Sequence, residues 1–320
     1  MLNLIVTAGR AGSSFLATQL NQHPSVACLN ETHYLPLLLD AFGGEPTKTD
    51  DIMKIVAGTH FHDGRNILEA NFPSLGISLE AWNGWKYELG KNFDLLTVAQ
   101  FQAKLETFIR AKTGAKIVVD KTPCYGAHLE VFAKHLGGIR VVILSRDALP
   151  SIRSMLKHPG FLLKIRNGVN TWTDIMRHHD INAEDMSLVL RPGEEEEMAK
   201  LWAWRTTQPI WQAKQADLKY MNLLYEQMQS HPMEFFEEIE SFFELEPSRD
   251  WVTQSAKQVI SPSTSAVNVE IPYSKHKFRW LRALIGRFEG HQSADSRDPM
   301  SHLLTIPEVS KARSLMGYCP

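Results

Sequence analysis

The sequence predicts an α/β fold with a doubly wound, mostly parallel β-sheet flanked by helices. Four short aliphatic or β-branched runs have the composition of buried parallel strands. They are Leu2–Thr7, Val26–Leu29, Lys116–Asp120 and Arg140–Ser145. A helical pattern follows each run, with a Gly-Gly and a Pro-Gly pair as stops after the third and fourth. Strands that alternate with helices build βαβ units, which place the strands in one sheet.

A fifth strand is predicted at Tyr220–Tyr225, after a long helix near Glu194–Gln215. That helix carries three tryptophans, Trp202, Trp204 and Trp211. Aromatic side chains of this size contribute much of the apolar area that a core buries. We therefore expect all three tryptophans to lie in the core.

Length and composition favour one domain that spans residues 1–320. A chain of 320 residues with 43% hydrophobic content can bury a full core. The formal net charge of -2 argues against a nucleic-acid surface, so any phosphate contact should be local. The three cysteines form no CxxC pair, and the first apolar run is too short for a signal peptide or a membrane span. We expect a soluble, cytoplasmic protein that binds neither nucleic acid nor membrane.

Two long segments, 44–95 and 159–195, interrupt the alternation of strands and helices. Such insertions are either lids and pockets over a substrate or extra helices that cover the sheet. We expect helical, substrate-capping insertions that form the acceptor pocket or lid. In the second insertion Trp172, His178 and His179 suggest polar and ring-stacking contacts. The two histidines lie in "RHHD", a doublet more typical of a surface than of a metal site, so no metal is expected.

The first strand leads into a glycine-rich turn, "GRAGSS", at residues 9–14. A turn between a parallel strand and a helix presents backbone N–H groups at the positive end of the helix dipole, where phosphate binds well. The alternative is a tight turn in which a serine caps the helix and no ligand binds. A nucleoside triphosphatase would carry GxxxxGK[ST], whereas here no lysine follows Gly12 and Arg10 precedes it. The pattern therefore favours a ligand with a single 5′-phosphate.

The run "GRAGSSFLATQLNQHPSV" resembles the 5′-phosphosulfate loop of sulfotransferases that use 3′-phosphoadenosine 5′-phosphosulfate (PAPS). That loop has a Lys or Arg, a small residue, Gly, two hydroxyl residues and an apolar residue, and its helix ends in His-Pro. The matching residues are Arg10, Ala11, Gly12, Ser13, Ser14, Phe15, His23 and Pro24. The resemblance implies the P-loop-like sulfotransferase fold, PAPS as the donor, adenosine 3′,5′-bisphosphate as the product, and nucleotide contacts from residues 10–15.

A second element, "VVILSRDALPSIRSMLKH", resembles the 3′-phosphate-binding element of the same family. It places Arg146 at the end of the fourth strand and Ser154 eight residues later, so one βα corner can present both to a phosphate. Ala148 stands where the family commonly has proline. The alternative is an arginine in a salt bridge and a serine on a helix face.

Two weaker matches extend the resemblance toward the C-terminus. "NLLYEQM" is similar to the family's Tyr-Glu-Asp-Leu strand, and Tyr225 takes the place of its nucleotide-binding tyrosine. "HKFRWLRAL" looks like the basic loop that closes over the 3′-phosphate and adenine, which makes Lys277 and Arg279 candidates. The two insertions have no counterpart in these motifs.

The candidate catalytic residues follow from the chemistry of sulfuryl transfer. In-line displacement at sulfur builds negative charge on the bridging oxygen, and a fixed cation such as Arg10 stabilises it. The acceptor must also lose a proton. "NETHYL", after the second strand, resembles the segment in which heparan-type sulfotransferases carry their glutamate base, so Glu31 is the candidate base and His33 its partner or substitute. The alternative is that Glu31 caps the next helix and His33 packs.

Lys121 ends the third strand in "VVDKTPCY". It resembles the lysine of the family's Glu-Lys-Ser/Thr-Pro segment, which approaches the sulfuryl group or the acceptor. A lysine at the end of a strand is equally consistent with a solvated or ion-paired residue.

The sequence thus predicts a PAPS-dependent sulfotransferase that acts on a hydroxyl, in preference to an amine, of a small-molecule, sugar or peptide acceptor. A homodimer is compatible with it. The main alternative is a small-molecule or nucleotide kinase on the same loop, for which Asp120 and Asp147 are the candidate Mg²⁺ ligands. A non-catalytic nucleotide-binding scaffold is the third interpretation.

Overall fold

The structure, a computed structural model, describes residues 1–60, 64–178, 183–260 and 298–318. Its strands are β1 (Leu2–Thr7), β2 (Val26–Asn30), β3 (Thr47–Lys48), β4 (Leu95–Leu96), β5 (Ile117–Lys121), β6 (Ile139–Ser145) and β7 (Lys219–Leu224). Five of them form a parallel sheet in the order β2-β5-β1-β6-β7. The short strands β3 and β4 pair antiparallel. The predicted parallel sheet is confirmed, and each predicted strand end agrees with the structure to within one residue.

Fourteen α-helices surround the sheet in the described part of the chain. They are α1 (Ser13–Leu20), α2 (Tyr34–Phe42), α3 (Thr49–Gly58), α4 (Leu79–Asn92), α5 (Val98–Thr113), α6 (Leu129–Leu136), α7 (Ala148–Leu156), α8 (Pro159–Arg166), α9 (Trp172–His178), α10 (Glu194–Gln215), α11 (Tyr225–Ser230), α12 (Pro232–Phe243), α13 (Arg249–Ile260) and α14 (Pro307–Leu315). Short 3-10 helices lie at Glu69–Asn71, Pro73–Leu75, Pro123–Ala127, Ala183–Met186 and Ser301–Thr305. No helix among the described residues is long and apolar enough to cross a membrane.

The sheet is buried on both faces because successive strand side chains alternate between two apolar cores. Leu4 and Val6 of β1 pack with helices α2–α6 on one face. Ile5, between them in sequence, packs with α1, α12 and α13 on the other face. Each fully buried aliphatic side chain of this size contributes about 1.5–3 kcal/mol.

A third apolar cluster lies where α7, α8, α10 and α14 meet. It includes Phe161 of α8 and Trp202 of α10, and Trp202 is fully buried as predicted. Trp204 is only half-buried, and Trp211 is 51% exposed, so the prediction that all three tryptophans lie in the core is wrong. Trp211 belongs to none of the three apolar clusters.

The first insertion, 44–95, contains β3, α3 and α4 and ends where β4 begins. Its side chains Ile52, Phe72 and Trp82 belong to the same core as Leu4, so this segment covers one face of the sheet. The second insertion, 159–195, contains α8 and α9. His179, Lys277 and Arg279 lie outside the described residues.

The strand order places the candidate residues at one edge of the sheet. Ligands of open α/β sheets bind beyond the carboxyl ends of the strands, where the strand order reverses. Strands β1, β2, β5 and β6 are neighbours, and their carboxyl ends lead into the glycine turn, Glu31, Lys121 and Arg146 respectively.

Candidate active site

The glycine turn after β1 has a backbone that excludes larger residues at two positions. Gly9 and Gly12 have φ values of 105° and 81°, in the left-handed region that favours glycine. A Cβ at Gly9 would overlap the ring of Phe161, and one at Gly12 would lie 2.9 Å from Tyr225 Cδ2. The Gly9 amide donates to Thr7 Oγ1 at 3.1 Å, which fixes the start of the turn.

Helix α1 begins directly after this turn without a side-chain cap. Its N-cap is Gly12, so the alternative in which a serine caps the helix is wrong. Neither the Ser13 nor the Ser14 hydroxyl has a hydrogen bond to another described residue, and Ser14 is exposed. The free first-turn amides and two hydroxyl groups are the donor set that an anion requires.

Arg10 connects the turn to the second predicted phosphate element. Its Nε donates to Ser154 Oγ at 2.9 Å, and Arg146 Nη1 donates to the Arg10 carbonyl oxygen at 3.3 Å. The Arg146 guanidinium lies over the ring of Tyr225, with Cζ 4.4 Å from its centroid. Two cations, a hydroxyl and an aromatic ring thus meet at one corner, and all four residues were predicted from sequence.

The chain near its C-terminus braces this corner. Arg313 of α14 donates from Nε to Asp147 Oδ1 at 2.9 Å, and the Tyr318 hydroxyl donates to Glu226 Oε2 at 2.7 Å. Glu226 Oε1 in turn accepts from the Asp147 amide at 3.1 Å. Asp147 and Glu226 are the residues next to Arg146 and Tyr225, so these bonds hold the two nucleotide candidates in register.

A second group of candidates lies at the ends of β2 and β5. Lys121 Nζ donates to Glu31 Oε1 at 2.9 Å, and His33 Nε2 lies 4.0 Å from Glu31 Oε2. The side chain of Glu31 is 40% exposed, whereas that of Lys121 is fully buried. The charge of Lys121 lowers the pKa of Glu31 to about 2, and burial lowers the pKa of His33 to about 4. Glu31 is therefore a carboxylate and His33 a neutral imidazole at neutral pH.

The backbone at these candidates is strained. Arg10, Glu31 and His33 have φ values of 60°, 55° and 57°, a region that non-glycine residues rarely occupy. Such strain costs about 1–3 kcal/mol per residue and persists where the surrounding structure imposes it. Among the described residues, Asp217 and Glu244 share this conformation, and three of the five such positions are candidate catalytic residues.

A buried polar network supports the strand ends beneath Glu31. Asp120 accepts hydrogen bonds from the hydroxyls of Thr32 and Thr122, each at 2.6 Å, and Thr32 Oγ1 lies 2.7 Å from the Tyr125 hydroxyl. Burial raises the pKa of Asp120 to about 6. The network fixes the segments on both sides of the ion pair between Glu31 and Lys121.

Two further contacts orient the same segments. His33 Nδ1 lies 3.2 Å from Cys124 Sγ, which turns Nε2 of the ring toward Glu31. Asn71 of the first insertion bonds both backbone groups of Asn30: it accepts from the amide at 2.6 Å and donates to the carbonyl at 3.1 Å. The first insertion therefore touches the residue that precedes Glu31.

The structure brings together most of the residues predicted from sequence. Glu31 does not cap α2, which begins at Tyr34 and has no side-chain cap, so that alternative is wrong. His33 is buried and Lys121 is ion-paired. Sequence reasoning missed Asn71 and the buried cations Lys164 and Arg205, which no motif marks.

Comparisons with known proteins identify the family of the chain and similar folds. A model of the sulfotransferase family matches residues 4–250, which is most of the chain. The chain belongs to the sulfotransferase family. Among solved structures it is similar to the sulfotransferase domain from the curacin biosynthetic pathway, with a TM-score of 0.58, 14% identity, and coverage of 99% of this chain and 98% of the other. No curated protein matches the chain.

A second solved structure supports the fold of this sulfotransferase. The sulfotransferase domain from the Synechococcus PCC 7002 olefin synthase has a TM-score of 0.51 and 14% identity, and the match covers 100% of this chain and 95% of that domain. The predicted α/β fold with a parallel sheet is thereby confirmed. As a member of this family, the chain is a transferase of sulfuryl groups.

Proposed function

We propose that this sulfotransferase moves a sulfuryl group from PAPS to a hydroxyl of its acceptor by in-line displacement. The observation that carries the proposal is the corner where Arg10, Arg146, Ser154 and Tyr225 meet. It combines two guanidinium groups, a hydroxyl, free helix amides and an aromatic ring. A nucleotide with anionic groups at both ribose ends matches that donor set.

The described residues fit this donor by their chemistry. The glycine turn with Ser13 and Ser14 would hold the 5′-phosphosulfate, while Arg146 and Ser154 would hold the 3′-phosphate. Tyr225 would contact the nucleotide beside Arg146. When bound, PAPS supplies a sulfuryl group on a good leaving group. A substitution at Gly12 would push a Cβ against Tyr225, so the space that the turn leaves is part of the site.

Arg10 has two tasks in this proposal. Its guanidinium stabilises the negative charge that develops on the bridging oxygen, and removal of one such donor typically costs about 3–4 kcal/mol. Its bond to Ser154 positions the side chain between the two predicted phosphate sites. Arginine keeps its charge at neutral pH and so acts as an electrostatic group.

Glu31 is the proposed base for the acceptor hydroxyl. The ion pair with Lys121 keeps Glu31 deprotonated, and its partial exposure leaves an oxygen accessible to the acceptor. His33 is the substitute base, since it is neutral at neutral pH. Lys121 is then a positioning residue for Glu31 and a cation beside the sulfuryl group. The two insertions, 44–95 and 159–195, would form the acceptor pocket.

Two observations count against the kinase alternative. The Asp120 carboxylate is buried and accepts bonds from Thr32 and Thr122, so it is not available to Mg²⁺. The Asp147 carboxylate pairs with Arg313 and also accepts from the Ala148 amide. Kinases hold Mg²⁺ through such carboxylates. No group of three metal-ligating side chains lies together among the described residues.

The proposal extends to the setting of the reaction. Cys28 and Cys124 are free and buried thiols, which suits a reducing compartment such as the cytoplasm. The acceptor would be a small molecule, a sugar or a peptide, and a homodimer is compatible with the site.

The first experiment compares ligands in a thermal-shift assay. We expect adenosine 3′,5′-bisphosphate to raise the melting temperature, and ATP with Mg²⁺ to have little effect. The reverse order would favour a kinase. The second experiment screens acceptors with PAPS and detects the added sulfuryl group by mass. If the nucleotide binds, and Glu31→Gln leaves binding and every sulfation reaction unchanged, the non-catalytic scaffold is the better interpretation.

A further inference from the structure

Two buried cations lie on α8, in the second insertion, and on α10, which follows it. They belong to none of the family motifs. They are Lys164 of α8 and Arg205 of α10, which are 7% and 6% exposed. Both lie against the ring of Phe161: Lys164 Nζ is 4.9 Å and Arg205 Cζ is 5.5 Å from its centroid. Since they flank one ring, we treat them as a pair, the Lys164/Arg205 pair.

Neither member of the pair forms an ion pair with an acidic residue in the described part of the chain. Within the described part of the chain, Lys164 Nζ donates only to the Gly160 carbonyl, at 2.9 Å, and Arg205 Nη1 donates to the Asn170 carbonyl at 3.1 Å. Arg205 Nε is buried and has no acceptor among the described residues. A buried charge without a counter-ion is costly, so such groups are usually paired in the functional state.

A neighbouring arginine on α8 differs from the pair because it has a carboxylate partner. Arg166 of α8 forms two hydrogen bonds to Glu194 of α10, at 2.6 and 2.9 Å. Arg166 links α8 to α10, and a carboxylate of the fold balances its charge. Lys164 lies two residues earlier on α8, on the opposite side of that helix, and forms no salt bridge with a carboxylate among the described residues.

Cys124 links Arg205 to His33, the neighbour of the proposed base. Arg205 lines a cavity of about 10 Å³ together with Cys124 and Thr171, and Cys124 contacts His33. A cavity of that size holds one water or one ligand oxygen. Burial and the charge of Arg205 lower the pKa of Lys164 to about 7, and the charge of Lys164 contributes to the low pKa of Glu31.

Resting on the proposed function, we propose that the Lys164/Arg205 pair binds an acidic group of the acceptor, so that the preferred acceptors are hydroxy acids. A carboxylate placed there would form the direct ion pair that these two cations lack among the described residues, in addition to the attraction of Glu31, and it would hold the hydroxyl near Glu31. The sulfuryl group of PAPS is also an oxyanion and is the other possible source of this charge. The experiment separates the two sources.

The test uses the full chain and Lys164→Met, with exposed Lys134→Met as the matched control. Methionine has a similar shape, and replacement of a buried unpaired charge by an apolar group is often neutral for stability. Arg205→Gln tests the second cation, with exposed Arg110→Gln as its control. Melting temperatures and circular dichroism establish that each variant folds.

The first measurement is binding. The wild-type complex with adenosine 3′,5′-bisphosphate is titrated with hexanoate, 6-hydroxyhexanoate and 4-hydroxyphenylacetate, each against its methyl ester. We expect the acids to bind more tightly than their esters. Lys164→Met should weaken the acids by about 10- to 100-fold, the range of a lost charge-assisted contact, and leave the esters unchanged. With PAPS, the same variant should raise the KM of each hydroxy acid that is sulfated by a similar factor.

Each other outcome overturns the inference. No preference for acids over esters in the wild type would do so, and so would an equal loss for acids and esters in Lys164→Met. If Lys164→Met weakens PAPS but not adenosine 3′,5′-bisphosphate, the pair binds the sulfuryl group of the donor instead. Failure of adenosine 3′,5′-bisphosphate to bind the wild type is a different result, because it would contradict the proposed function itself.

Discussion

The guanidinium of Arg10 and the hydroxyl of Ser154 form a hydrogen bond of 2.9 Å, although 144 residues separate them in sequence. The bond joins the turn after β1 to the helix after β6. Since β1 and β6 are adjacent parallel strands, their carboxyl ends lie side by side. Two motifs that were predicted to bind different ends of one nucleotide are therefore in direct contact.

Arg10→Ala should abolish turnover while it only weakens nucleotide binding. The guanidinium is proposed to act on charge that develops in the transition state, so its loss should cost about 3–4 kcal/mol, or about 10²–10³-fold in kcat. Stopped assays with PAPS give kcat, and titration with adenosine 3′,5′-bisphosphate gives the affinity. The exposed Arg110→Ala is the control. Unchanged turnover in Arg10→Ala would remove the assigned role.

Arg146→Ala should weaken binding of the 3′-phosphate specifically. Loss of a charge-assisted contact weakens the binding free energy by about 1.5–3 kcal/mol, which raises the dissociation constant about 10- to 100-fold. Calorimetry should show this loss for adenosine 3′,5′-bisphosphate and little change for AMP. Because Arg146 also contacts Arg10 and Tyr225, the melting temperature of the variant must be compared with wild type. Equal losses for both nucleotides would contradict the assignment.

Gly12→Ala should impair nucleotide binding more than its backbone strain alone explains. At φ 81° any alanine is strained, and here its Cβ would also meet the Tyr225 ring at 2.9 Å. Gly114→Ala is the matched control, since Gly114 has φ 76° and nothing within 4 Å of the added Cβ. Both variants should lose about 1 kcal/mol of unfolding free energy from strain, measured in urea. Only Gly12→Ala should also lose affinity for adenosine 3′,5′-bisphosphate.

Removal of Glu31 and removal of Lys121 should lower the stability by unequal amounts. Glu31→Gln leaves a fully buried ammonium without its carboxylate, and should lower the free energy of unfolding by about 1.5–3 kcal/mol. Lys121→Met removes that charge and leaves a carboxylate that is partly exposed to water, so it should cost less. The double variant should recover most of the loss. Urea unfolding of the four proteins forms the cycle, and additive losses would show that the pair is not coupled.

Neither Glu31 nor His33 should limit the acid side of the pH profile. Lys121 holds the pKa of Glu31 at about 2, so its carboxylate is present throughout pH 5–8, and His33, with a pKa of about 4, stays neutral there. With a neutral acceptor, titration of Glu31 and His33 should therefore cause no fall in kcat/KM between pH 8 and pH 5, and any small change there should follow Asp120 or Lys164, whose pKa values are about 6 and about 7. A histidine base with an ordinary pKa would lose about 30-fold by pH 5. A loss of that size, absent in His33→Gln, would identify His33 as the base with an unshifted pKa.

The sequence predicts the sheet well because its strands are local patterns. Val26–Leu29 and its neighbours are short apolar runs bounded by polar or turn residues, the pattern of strands buried on both faces of a parallel sheet. Arg10, Arg146 and Ser154 were predicted because they stand at fixed distances from strand ends. The roles of such residues can be predicted without knowledge of the tertiary packing.

The remaining site residues depend on long-range packing that no local pattern encodes. Lys164 and Arg205 look like ordinary surface cations on helices, and only the fold buries them against Phe161. Asn71 reaches Asn30 across 41 residues. Trp211 is the reverse case. The sequence prediction placed its ring in the core, but the ring is 51% exposed to solvent.

The left-handed backbone at Arg10, Glu31 and His33 also affects how this enzyme would respond to selection. A glycine at any of these positions would relieve the local conformation and lose the side chain that the reaction is proposed to use. Selection only for resistance to heat should therefore favour glycine at Arg10, with a loss of catalysis, whereas glycine at Glu31 would leave the buried Lys121 without its carboxylate. Thermostable variants for synthesis should be sought elsewhere in the chain, with these three positions held fixed.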